Sequence, residues 1–171
     1  MTTVFNQVAS LLLAQVQVQL AATTAGVAAD ARVCLVPGQL AWDNCECGLI
    51  AVELVGTGFS RGGQDSSVET EDGCNGLATA TYRVTVLRCA PGVGAAGSAP
   101  TCAELDAAAK IFYDDVDALL RGVSIAMRDM YDTDIIKTYW FNGTSPTGPD
   151  GRCVGSTEEV TVGVTNTYGA C

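Results

Sequence analysis

LATATYRVTVLRC, residues Leu77–Cys89, is the stretch whose reading decides the fold. Tyr82, Val84 and Val86 alternate with Arg83, Thr85 and Leu87, the period of two that gives a strand one buried face. Twelve residues on, Thr101-Cys102-Ala103-Glu104 spells a capping box. The Thr101 side chain is set to serve the open N–H groups of a first helical turn, and Glu104 to reach back to it. Behind that cap, Phe112, Val116, Leu119, Leu120, Val123, Met127 and Met130 recur at helical spacing, so a helix is expected from residue 101 to about Met130. Lys110, Asp114, Asp117, Arg121 and Arg128 fall mainly off this stripe, and Asp117 with Arg121 makes a favourable i,i+4 pair.

Working outward, residues 3–24 carry Val4, Val8, Leu11, Leu12 and Val16 at helical spacing and read as an amphipathic helix. Gln7, Gln15, Gln17 and Gln19 interrupt the apolar run well below spanning length. No Lys or Arg precedes Arg32, so a secretory leader is not expected. Ala31–Val36 reads as a short strand stopped by Pro37-Gly38. Leu49–Val55 reads as a strand apolar on both sides. Gly56–Gly76 is rich in glycine, serine and acids and keeps no apolar period, so a long mobile loop is expected over 56–76. Phe59, Arg61, Asp65, Glu69, Glu71 and Asp72 are its candidate contact residues. Ile135–Phe141 reads as a strand followed by a turn-rich Asn142–Arg152, and Glu159–Asn166 as the last strand, with Val160, Val162 and Val164 in phase. The order is α-β-β-β-α-β-β. It predicts a single α+β domain over residues 1–171, with a mainly antiparallel sheet packed on one face by the N-terminal helix and one long central helix.

Charge and composition narrow the function. Nine basic residues stand against nineteen acidic ones, a net charge of −10. No basic stripe gathers anywhere, so neither a phosphate backbone nor an anionic membrane is expected as a specific partner. There is no histidine, which removes the commonest general acid–base and the commonest metal ligand. No Ser or Cys has a plausible base nearby in sequence. The expectation is a protein that is not an enzyme, needs no cofactor or metal, and works by contact with other proteins.

Several motifs invite sharper chemistry and do not sustain it. Gly92-Val93-Gly94-Ala95-Ala96-Gly97 matches GxGxxG, but three residues separate its last glycine from the cap at Thr101. A dinucleotide site needs the helix N-terminus against the pyrophosphate. Cys45-Glu46-Cys47 lacks the wider spacing and the second pair of a structural zinc site. Asp114-Asp115-Val116-Asp117 and Asp132-Thr133-Asp134 lack the calcium-loop pattern and read as a solvated helix face and a turn. Asn142-Gly143-Thr144 is a glycosylation sequon that means nothing without a secretory route.

Eight cysteines are many for a chain of 171 residues, and they point to an oxidising destination. A protein made in the cytosol and later exposed to the exterior reconciles this with the missing leader. Cys89 and Cys102 bound the Ala90–Thr101 loop. If strand and helix pack side by side there, a bridge between them is sterically open and contributes roughly 3 kcal/mol.

Val33-Cys34-Leu35-Val36-Pro37-Gly38, Ala41-Trp42-Asp43-Asn44-Cys45-Glu46-Cys47-Gly48, Tyr82–Pro91 and Gly148–Gly155 resemble small head-to-tail connection proteins of actinobacterial siphophages. The element order is similar to that of tail terminators. The resemblance implies a structural virion protein that assembles in the host cytoplasm as a homo-oligomeric ring, a hexamer. Such a ring caps the tail tube, meets tail tube protein and head–tail connector, and lets DNA pass without specific binding. A head-closure (stopper) or other neck subunit is the nearest alternative, and a disulfide-stapled secreted binding module the alternative of another class. As channel protein, the chain is expected to turn part of its acidity to the lumen.

Overall fold

A computed structural model describes residues 3–27, 31–38, 48–60, 77–92, 98–150 and 153–164. The elements are α1 (Val4–Ala21), β1 (Arg32–Val36), β2 (Leu49–Ser60), β3 (Leu77–Cys89), α2 (Cys102–Asp132), β4 (Thr138–Asp150) and β5 (Cys153–Val164). The strands form one sheet in the order β1-β2-β3-β5-β4. Only β1 against β2 is parallel; every other pairing is antiparallel. This is the α+β architecture expected, with Leu77–Cys89 as its central strand.

Both helices lie on one face of the sheet. Tyr82, Val84 and Val86 of β3, Ile50 and Val52 of β2, and Val160, Val162 and Val164 of β5 point up into them. Val8, Leu12, Val16 and Leu20 descend from α1, and Ala118, Leu119, Val123, Met127 and Met130 from α2. Each fully buried Val, Leu, Ile or Met among them contributes roughly 1.5–3 kcal/mol against exposure. α1 meets β1, β2 and β3, whereas α2 meets β3, β5 and β4, so the helices divide the sheet between them.

The capping chemistry is as the sequence reads. Glu104 N donates to Thr101 Oγ1 at 3.3 Å, and Thr101 N donates to Glu104 Oε2 at 2.7 Å. Thr3 caps α1 in the same manner, accepting from Asn6 N. On α1 the four positions Val8, Leu12, Val16 and Leu20 are wholly buried, so its apolar run serves the core although it is also long and apolar enough to cross a membrane.

Five local expectations are corrected. Gly56–Ser60 is not loop: β2 runs to Ser60, paired with Leu77–Thr81 after a bulge between Leu54 and Gly56. The extra residue of the bulge breaks the period of two, which hid the continuation. Asn142–Asp150 is likewise strand, the outer half of β4, irregular at Asn142 and again between Thr147 and Asp150. Its prolines, Pro146 and the cis Pro149, are tolerated because β4 is an edge. Residues 135–137 precede the strand, after Asp134 takes a left-handed conformation (φ 63°) that reverses the chain. Glu158 and the residues from Cys153 onward belong to β5, extending it well before Glu159. Leu120 leaves the core stripe and stands exposed, while Phe112 and Val116 are half-buried.

Candidate functional site

Of the candidate loop residues, Phe59 sits on β2 opposite Ala78 and is 71% exposed. Arg61, Asp65, Glu69, Glu71 and Asp72 lie outside the described residues, as do Cys45-Glu46-Cys47 and most of the GxGxxG sequence. Cys102 carries a free, exposed thiol, so the bridge to Cys89 is not formed. The physical reason is the placement of α2. Residues 101–107 are all exposed, so the start of the helix overhangs the sheet instead of packing beside the end of β3. The residue facing Cys89 across the ladder is Cys153, which is buried and disulfide-bonded.

The acidic cluster at Asp114–Asp117 splits. Asp117 pairs on the surface with Arg121 at 2.5 Å. Asp115 turns inward and binds Arg88, through Nε to Oδ2 and through Nη2 to Oδ1 at 2.8 Å. The same guanidinium donates to the Gly26 carbonyl at 2.5 Å, so one side chain ties β3, α2 and the segment after α1 together. Asp115 was legible as a core position, since it lies four and seven residues before Leu119 and Gly122. Asp134 pairs with Lys137 at 2.5 Å. Among the described residues, no group of three or more Cys, Asp or Glu side chains is arranged to hold a metal.

The face away from the helices is polar at its centre. Arg83 lies between Glu53 and Glu159, reaching Glu159 through Nε at 2.8 Å and Nη2 at 2.6 Å, with Glu53 on Nη1. The hydrogen bond that Arg83 donates to Glu159 first, and then the charges of both acids, raise the Arg83 pKa against the opposing effect of burial. Thr81 and Thr161 share a hydroxyl contact at 2.8 Å beside it, and Asn142 donates to the same Thr161.

Glu158 is the polar residue the strand reading missed. It shares the parity of Val160 and Val162, so it faces the helices, 1% exposed, and takes the Thr144 hydroxyl from β4. Burial raises its pKa; the Thr144 bond opposes this, and the Glu159 charge adds to it. Ser156, two residues earlier on that face, has an equally buried hydroxyl without a hydrogen-bond partner.

Aromatic side chains gather where α2 ends and β4 begins. Tyr131, Tyr139 and Phe141 form a ladder there, with ring centroids 6.1 and 5.8 Å apart in edge-to-face geometry. Trp140 stands on the opposite face of the same strand, 44% exposed. β4 has β5 on one side and no strand on the other among the described residues.

No protein-family model matches the chain, and no curated protein matches its sequence. The fold itself assigns the chain to the α+β class, with two helices over a five-stranded mixed sheet.

Proposed function

We propose that the chain is a structural subunit of a siphophage neck, a tail terminator that closes into a ring on the tail tube and joins it to the head connector. The observation that carries this reading is the sheet edge. A domain whose edge strand β4 has no further strand beside it among the described residues, and bears exposed aromatics on both faces, is suited to be covered by another protein. The element order α-β-β-β-α-β-β matches what the sequence resemblance implies, and no catalytic role is proposed for any residue. A net charge of −10 suits a passage for DNA, because carboxylates repel phosphates that basic side chains would hold.

Electron microscopy of the purified protein tests the reading. The expected particles are closed rings with a central channel, sixfold in averaged views. Labelling of purified virions should place the protein between tail tube and head; a label on the capsid side of the junction favours a head-closure subunit. Absence of the protein from purified virions overturns the reading in both forms.

A further inference from the structure

The chain carries charge on 16% of its residues, yet two long surface stretches carry none. α1 has no charged side chain in its 18 residues. Its exposed side holds the polar Asn6, Ser10 and Gln17 and, beside them, the row Gln7, Leu11, Ala14, Val18 and Ala21, spaced at three and four, with Leu11 39% and Val18 59% exposed. The neighbouring helix shows what a solvated face of this protein looks like: α2 exposes Asp106, Lys110, Asp117, Arg121, Arg128 and Asp129. The second charge-free surface is β4, uncharged from Thr138 to Pro149.

The edge of β4 is protected unevenly. Its outer half has a bulge before Gly143, Pro146 and the cis Pro149, devices that discourage pairing. The inner half, Thr138–Phe141, has no proline, bulge or charge, and it carries the aromatic ladder. An edge of that kind is stable when a helix or loop covers it.

Topology puts the two surfaces on opposite flanks. α1 lies over the β1–β2 side of the sheet, and β4 is the far edge on the other side. Two unlike patches on opposite flanks join copies head to tail, which is the heterologous contact a ring requires. Electrostatics selects the occupant. Copies of a −10 subunit repel wherever their acids approach, so they meet at lowest cost across faces without charge. Depletion of charged residues is also the mark of an interface core. α1 is about 27 Å long at 1.5 Å per residue, long enough to lie along the whole unprotected part of β4.

We propose that the outward row of α1 in one copy docks on the open edge and aromatic face of β4 in the next copy. The proposal rests on the ring reading above and supplies its contact surfaces: Leu11 and Val18 on one side, Tyr139, Trp140 and Phe141 on the other.

The test uses the full-length protein and two double variants, Leu11→Asp with Val18→Asp, and Trp140→Asp with Phe141→Asp. Circular dichroism and melting curves confirm that each is folded. Light scattering against concentration is expected to show assembly of the wild type and monomers for both variants, a weakening of at least about 100-fold, the scale of central interface residues. Mixing the variants then gives a one-to-one dimer that grows no further, because only one pair of intact faces remains. If the β4 double variant unfolds, Phe141→Lys alone carries the same expectation at an exposed position on the aromatic face. Rings formed by both variants as readily as by wild type overturn the docking proposal and leave the ring reading standing. Loss of a wild-type filament or dimer in both variants supports the docking and removes the ring. A wild type that is monomeric alone and binds only lipid vesicles through α1 overturns both.

Discussion

Gly122 of α2 stands directly against Val16 of α1. A Cβ on Gly122 would lie 2.8 Å from the Val16 Cα, 2.9 Å from its Cγ2 and 3.2 Å from its backbone N. The two helices therefore touch backbone to backbone, and this contact sets the depth at which both sit on the sheet.

Gly122→Ala is expected to destabilise the fold, although alanine is the better helix former by about 1 kcal/mol. The clash is with backbone, which no rotamer relieves, and overpacking of this kind costs about 1–3 kcal/mol. A melting temperature lowered by several degrees supports the close contact, and a raised one refutes it. Val16→Ala in the same chain should recover only part of the loss, since the Val16 Cα and N remain.

Asp115→Ala leaves the Arg88 guanidinium in a largely covered site, with the Gly26 carbonyl as its remaining hydrogen-bond partner among the described residues. Loss of one partner of a buried pair costs about 3–5 kcal/mol, and the lower end applies because the Arg88 side chain keeps 18% exposure. Replacing both partners together, Arg88→Met with Asp115→Leu, should cost much less. Urea denaturation of the three variants measures the difference; equal losses for single and double variants would contradict a buried ion pair.

Glu158 predicts a pH dependence of definite sign. Its pKa in the fold is raised by burial, so the folded state holds the proton more tightly than the unfolded chain does. The contribution of this group is therefore fully present below the ordinary carboxylate value. It is lost as pH rises through the raised value, leaving a penalty at neutral pH. Glu158→Gln should flatten that part of the stability–pH curve. Denaturation midpoints across the acidic range test it, and an unchanged slope in the variant argues against a buried, titrating Glu158.

Cys102 should alkylate rapidly in the native protein without reductant, because its thiol is free and exposed. Cys153 should resist, being buried and disulfide-bonded. Peptide mapping after alkylation decides; a linked Cys89–Cys102 peptide would overturn the placement of the start of α2.

Much of this fold is written locally. The Thr101–Glu104 cap, the α2 stripe from Leu119 to Met130 and the alternation of Leu77–Cys89 each depend on residues a few positions apart, so periodicity and capping preference expose them in the chain alone. Net charge and the lack of histidine are likewise properties of composition, and they limit the chemistry open to the chain whatever its geometry. Tertiary structure decided the rest. β2 continues past Val55, and β4 past Phe141, because paired strands carry them through bulges and prolines that end a strand on local grounds. Asp115 and Glu158 are polar residues at apolar positions of their elements, and only Arg88 and Thr144, brought from other strands, make their burial tolerable. Cys89 and Cys102 are close in sequence and yet not bridged to one another, because helix packing and not loop length sets where the first turn of α2 lies. The charge-free rows of α1 and β4 were present in the letters from the start. That they occupy opposite flanks of one sheet follows from the strand order β1-β2-β3-β5-β4, which long-range pairing alone determines.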